Sequence, residues 1–257
     1  MRKNLLYLLF IFLVFSFSCG SDDEALMAPT APEECDLDCG PNGTCLLDVC
    51  ACDPGYVGDQ CQTYRPVAVR LQTETPAQIV ARGIPVDSLY GKEYAGGIIF
   101  YLDQSNFLVG VEGLVCSATD IAGTSRWGCT NIDLENVPNV QQTPNRPFSN
   151  EAGSLLGDGK TNTPAISNNN CASGSAARAC ATIALNGYSD WYLPSSVALE
   201  LMYENLDQNG MGDFRGQLYW SSSERAATNA WYLSFQDGTH ANTNKLSSLR
   251  VRAIREF

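Results

Sequence analysis

The longest apolar run in the chain is Leu5 to Phe17, which follows Arg2 and Lys3. It is too short to cross a hydrocarbon core of about 30 Å as a mature helix, and it reads as the hydrophobic part of a signal peptide. The pattern turns polar at Gly20-Ser21-Asp22-Asp23-Glu24, and Ala25 to Glu34 carries two prolines and no apolar period. That stretch reads as an extended spacer. Regular structure is expected from Thr75. Thr75 can cap a short helix, Pro76 suits its first turn and Gly83 can end it. Ile98 to Leu102 is a β-branched and aromatic run behind Gly96-Gly97, predicting a buried strand, with further strands over Phe107 to Val111 and Leu114 to Ser117. Residues 131–175 show no period and are expected to wrap one side of the domain as irregular chain. Ala176 to Leu185 predicts a short helix packed through Ala177, Ala181 and Ile183–Ala184. The best helix begins at the cap Ser195 and runs to about Gln208, with Leu199, Met202, Tyr203 and Leu206 on one face. Ala230 to Phe235, Asp237-Gly238 and a return strand predict a hairpin. In the last strand Leu249, Val251 and Ala253 alternate with Arg250 and Arg252, predicting one apolar and one basic face.

Charge and cysteine usage place the protein outside the cytosol. The net charge is −12, and the stretch from Cys19 to Arg65 holds one basic and ten acidic residues. Such a chain does not bind nucleic acid by neutralising phosphates. Eleven cysteines fit an oxidising compartment. Ser16-Phe17-Ser18-Cys19 resembles a lipobox, so Cys19 is the expected lipidation site and the anchor is several acyl chains. The acidic run after Cys19 resembles the surface-export signal of Bacteroidetes-type lipoproteins, which implies an outer-membrane, lipid-anchored, surface-exposed protein. The bland alternative is a solvated tether.

Cys35 to Cys61 has the spacing C-x3-C-x5-C-x4-C-x-C-x8-C and ends in Cys52-Asp53-Pro54-Gly55-Tyr56-Val57-Gly58-Asp59-Gln60-Cys61. Six cysteines alone allow fifteen pairings. The stretch resembles an EGF-like module, and that resemblance implies the bridges Cys35–Cys45, Cys39–Cys50 and Cys52–Cys61. A unit this small relies on disulfides in place of a core. Gly55 and Gly58 suit tight turns. The acidic pattern that lets such modules hold calcium is missing, so no metal is expected, and the module is read as a spacer. Of the later cysteines, Cys116–Cys129 and Cys171–Cys180 are the expected pairs because short loops close most easily; the alternative leaves one pair reduced.

Gly96-Gly97-Ile98-Ile99-Phe100-Tyr101, Asn162-Thr163, Gly187-Tyr188-Ser189-Asp190-Trp191-Tyr192-Leu193-Pro194-Ser195, Tyr219-Trp220-Ser221-Ser222-Ser223-Glu224, Ala230-Trp231 and Val251-Arg252-Ala253-Ile254-Arg255 follow one another in an order that resembles the C-terminal domain of the legionella collagen-like adhesin. The resemblance covers residues 85–257. It implies an α+β fold of the C-type-lectin-like kind, with two small sheets, short helices and long loops. It also implies binding to sulfated glycans and host surfaces, and trimers in the relative leave a homo-oligomer open. Where the family has a Glu to complete a capping box, this chain has Ala198, a loss of about 1 kcal/mol.

The residues themselves offer few sites. Lys245, Arg250 and Arg252 form the candidate stripe for an anionic glycan, with Glu224 and Asp237 as further polar candidates. Trp191, Trp220 and Trp231 are read as core rather than as sugar platforms. The motifs by which calcium-dependent lectins hold sugar are absent. Gly157-Asp158-Gly159-Lys160-Thr161 looks like the end of a P-loop but lacks its first glycine. His240 is the only histidine and is expected to face solvent at the hairpin. No catalytic constellation, cofactor or metal is expected. The domain plan is therefore a signal peptide (1–18), a tether (19–34), an EGF-like module (35–61), a linker with a short helix (62–84) and a lectin-like domain (85–257). The expected role is binding or adhesion to a glycan or protein partner, with the membrane met only through the lipid. The alternative is an accessory subunit of an envelope complex; less favoured is an unrecognised hydrolase.

Overall fold

The computed structural model describes residues 38–46, 49–52, 56–57, 59–64, 71–121, 123–141 and 151–257. The chain divides into two compact units, Met1–Tyr64 and Arg65–Phe257. The signal peptide, Cys19, the tether and the glycines Gly55 and Gly58 lie outside the described residues.

In the first unit β1 (Gly43–Leu46) pairs with β2 (Val49–Cys52), and β3 (Tyr56–Val57) pairs with β4 (Thr63–Tyr64), both antiparallel. Two of the implied bridges are present, Cys39–Cys50 and Cys52–Cys61. Cys45 is disulfide-bonded as well; its implied partner, Cys35, lies outside the described residues. Cys39 and Cys61 are buried, so sulfur takes the place that aliphatic side chains fill in a larger core.

The second unit opens with α1 (Pro76–Ala81). Thr75 accepts a hydrogen bond from the Gln78 amide at 3.3 Å, and the Gln78 side chain accepts from the Thr75 amide at 2.9 Å. This reciprocal cap satisfies two orphan donors, and Ile79 anchors the helix in the core. One sheet, in the order β13-β7-β6-β5, is built from β5 (Glu93–Tyr94), β6 (Gly97–Leu102), β7 (Gly113–Cys116) and β13 (Ile254–Glu256). The other, β11-β10-β9-β12-β8, is built from β8 (Thr124–Ser125), β9 (Leu218–Ala226), β10 (Asn229–Ser234), β11 (His240–Asn244) and β12 (Leu249–Arg250). Among the described residues three more α-helices belong to the unit: α2 (Asp158–Ser167), α3 (Ala176–Thr182) and α4 (Ser196–Asn205). Helix α4 touches β6 of the first sheet and β9 and β10 of the second, so it fills the space between them. Ser195 caps it through the Ala198 amide at 3.3 Å. Ala198 is fully buried, which leaves no room for a Glu at that position.

Strand β6 shows why its sequence reads as an unbroken apolar run. Ile99 faces a cluster with Trp127, Trp191, Trp220 and Val251, while Phe100 faces one with Leu199, Met202, Tyr219 and Leu233. A strand buried on both faces has no polar alternation to display.

Four expectations are corrected. Phe107 to Val111 is a loop, not a strand; the Asp103 carboxylate accepts from the amides of Ser105 and Leu108 and folds the chain back, leaving Phe107 and Val109 exposed. The stretch 131–175 contains α2, whose buried face is Asn162, Thr163 and Ile166. On α3 the buried residues are Ala176, Ala177 and Cys180, and the helix stops before Ile183. The C-terminal strand breaks into β12 and β13, and both Val251 and Arg252 are buried, so it has no basic solvent face.

Candidate functional site

The five residues singled out as a ligand site are not brought together on an open surface. Lys245 and Glu224 are both fully buried and paired to each other. Lys245 also donates to the Ile132 carbonyl at 3.1 Å and lies 4.7 Å from the Trp127 ring centre. Glu224 accepts from the Leu134 amide, and its own carbonyl accepts from Val140 at 2.8 Å. Burial pushes the Glu224 carboxyl up and the Lys245 ammonium down, against the pull of their mutual hydrogen bond. Arg252 is equally buried. It pairs with Asp120 at 3.0 Å, donates to the carbonyls of Ser117, Ala118 and Gly212, and stacks 4.2 Å from the Phe214 ring centre. Arg250 takes the other Asp120 oxygen at 2.8 Å and is partly covered. The basic stripe is thus an internal brace, fixing the 117–121 and 131–140 loops to the second sheet. Asp237 is exposed in the β10–β11 turn, where it accepts from the Thr239 amide at 3.1 Å. Hydrogen bonds from Ser234 and Thr239 hold its carboxyl below the usual range.

Other candidates resolve as structure too. His240 is buried rather than solvent-facing, with Nε2 3.7 Å from Glu200 Oε2. Trp127, Trp191, Trp220 and Trp231 are buried, and their indole N–H groups donate to the carbonyls of Ser221, Tyr188, Ser125 and Val140 respectively. The disulfide expectation is overturned: Cys129 pairs with Cys171, while Cys116 and Cys180 are free, buried thiols. The Gly-Asp-Gly-Lys-Thr segment opens α2, but a side chain at Gly159 would meet the Leu193 carbonyl at 2.6 Å. Its glycine permits helix packing, and Lys160 is paired with Glu256.

The open polar surface lies elsewhere, at the free edge of the first sheet. Two adjoining hollows, of about 540 and 370 Å³, share the wall Tyr94, Ala95 and Tyr188. Each wall residue has a local cause. The turn between β5 and β6 places Ala95 and Gly96 in the left-handed region (φ 46° and 84°), and the loop before Tyr188 does the same with Asn186 and Gly187 (φ 50° and 85°). The two turns are tied together, because the Asn186 side chain donates to the Gly96 carbonyl at 2.8 Å. Tyr188 packs against Gly96, where any Cβ would meet its ring at 2.4 Å. Beneath Tyr188 sits Arg255, 3.9 Å from the ring centre and joined to Asp190 by two hydrogen bonds of 2.7 and 2.9 Å. The Arg255 hydrogen bond holds the Asp190 carboxyl below its ordinary value. Tyr94 stands edge-on to Phe257 at 4.9 Å, and burial pushes its phenol up. The sequence signal for this site is an aromatic directly after Asn-Gly, facing an Ala-Gly-Gly turn 90 residues earlier; spacing alone does not connect them.

Residues 141–255 match the family model of the Lcl C-terminal domain. Residues 35–63 match a teneurin-like EGF domain. The protein is therefore an α+β chain in which a disulfide-rich EGF-like module precedes a segment similar to an adhesin domain. No curated protein matches it. A fimbrial protein from Bacteroides ovatus is similar over 63% of this chain at 14% identity with a TM-score of 0.41, and the match spans 44% of that protein's length.

Proposed function

We propose that this protein is a cell-surface binding protein. Cys19 carries the lipid anchor at the outer membrane, the EGF-like module is a spacer, and the C-terminal unit contacts a glycan or protein partner. The observation that carries the reading is the open polar groove at Tyr188, held by two pre-set turns in a unit most of whose length is similar to the Lcl C-terminal domain. Phenol, amide and carboxylate groups on a shallow wall recognise a surface by contact and hydrogen bonding. Lys245 and Arg252 are buried and Arg250 is paired with Asp120, which argues against a polyanion-binding version of this role.

The test is saturable binding. Labelled full-length chain should bind isolated envelope or host-surface material with a plateau, and unlabelled chain should compete it away. Linear, uncompeted uptake on every material tried would contradict the proposal. Fatty-acid labelling that is lost in Cys19→Ala supports the anchor; labelling that survives the substitution opposes it.

A further inference from the structure

The groove's chemistry narrows what it takes. No basic side chain lines the larger hollow, whose charged member is the exposed Glu93. The smaller one contains Arg255 and the exposed Glu112. Arg255 directs three of its five N–H groups to both Asp190 oxygens and to the Ala95 carbonyl at 2.8 Å, so its charge is already paired. A sulfate or phosphate entering here meets two carboxylates and a single cation already paired with Asp190, which is electrostatically unfavourable. An amine or an uncharged hydroxyl-rich ligand meets acceptors on the rim.

The wall itself suits a sugar ring. A phenol face packs on the C–H face of a pyranose, removing apolar area from water, while its hydroxyl, an amide or a carboxylate pairs with ring hydroxyls at the edge. Tyr94 and Tyr188 supply the rings, Asn186 and Glu93 the edge groups. Pre-organisation is on the page as well: Ala95 and Asn186 are non-glycine residues held at positive φ and locked by the Asn186–Gly96 hydrogen bond. Strained, cross-tied loops of this kind have little freedom left to lose on binding. A peptide is the poorer fit. The free edge, β5, is two residues long, too short for strand addition. Ile98 is the one long aliphatic side chain on the larger hollow's wall among the described residues, so an apolar anchor has no pocket there.

We propose that the Tyr94–Tyr188 groove is a binding site for uncharged or amine-bearing glycans and discriminates against sulfated ones. This rests on the binding role proposed above and names its ligand class.

The experiment uses the full chain on four immobilised probes: chitin oligomers, a neutral hexose oligomer, chitosan oligomers and heparin. Retention on at least one of the first three and none on heparin is expected. Tyr188→Ala should weaken that binding about tenfold or more, and Tyr188→Phe should retain most of it. Glu93→Gln removes the charge but keeps a hydrogen-bonding edge group, so it should weaken chitosan binding more than chitin binding. Preference for heparin overturns the proposal. So does a Tyr188→Ala chain that melts as the wild type does and binds as the wild type does. If none of the four probes is retained but a protein partner binds saturably, the ligand class is wrong and the binding role stands; if nothing binds at all, both fall.

Discussion

Replacing Lys245 by Met exposes what the buried Glu224–Lys245 pair does. Both side chains are fully shielded from water, and the pair joins β9 and the turn just after β11 to the loop carrying Ile132, Leu134 and Val140. Met fills the stem volume but leaves the Glu224 carboxylate buried without its cation. Breaking one partner of a buried pair costs about 3–5 kcal/mol. For a unit of this size each kcal/mol moves the melting midpoint by about 2–4 °C, so the single substitution should lower it by roughly 6–20 °C. The double variant Glu224→Gln/Lys245→Met keeps an acceptor for the Leu134 amide and buries no charge, so it should recover to within about 2 kcal/mol of the wild type. The direction of the perturbed pKa values agrees. A raised carboxyl contributes stability only below its unfolded value and loses it as pH rises; a lowered ammonium contributes only above its unfolded value. Burial penalises the charged form of each group, and a neutral replacement relieves both. The assay is urea or thermal unfolding of the wild type, both single variants and the double. Single losses below about 1 kcal/mol that simply add in the double variant would refute the reasoning, because that is how exposed ion pairs behave.

Further outcomes follow from other contacts in the same unit. Alkylation of the native chain should leave Cys116 and Cys180 untouched even at mildly alkaline pH, since burial pushes the Cys116 thiol up to about 12 and the Cys180 thiol up as well; mass spectrometry before and after denaturation reads this. Cys171→Ser should cost about 2–4 kcal/mol in urea unfolding, whereas Cys180→Ala should leave the oxidised pair intact on a peptide map. Leu199→Ala on α4 should cost about 2–5 kcal/mol, and Thr163→Val about 1–3 kcal/mol because the Leu193 amide loses its 2.9 Å acceptor. Asp190 has a folded pKa below its ordinary 3.8, so its pairing with Arg255 stabilises the fold above that value and is lost as pH falls through the folded pKa; the urea midpoint of the wild type should drop across that acid range more steeply than that of Asp190→Asn.

What the sequence made legible was set by local rules. Six cysteines at fixed spacing announce the small module, and the caps at Thr75 and Ser195 announce α1 and α4, because each depends on atoms a few residues apart. Helix α2 escapes notice because its buried face is polar. Asn162 donates to the Gly153 carbonyl and to Ser222, and Thr163 donates to the Gly159 carbonyl while accepting from Leu193. An apolar-period search passes over such a face. The basic stripe misleads for the reverse reason: alternation is read as one dry and one wet face, but here Asp120 and four carbonyls wait on the far side of Arg252. The cysteine pairing misleads because closure entropy grows slowly with loop length. The 42-residue separation of Cys129 and Cys171 costs only about 1 kcal/mol more than a short loop, so packing decides. The groove needs Gly96 and Asn186 in contact, which only the folded sheet edge brings about.

Binding occurs at the Tyr188 edge and not at Arg250 and Arg252. Hydrogen–deuterium exchange of the full chain, with and without a retained glycan, measures the footprint directly. Slowed exchange at amides 93–97 and 186–190 is the predicted result. Protection confined to residues 249–252, with those two loops unchanged, would contradict it.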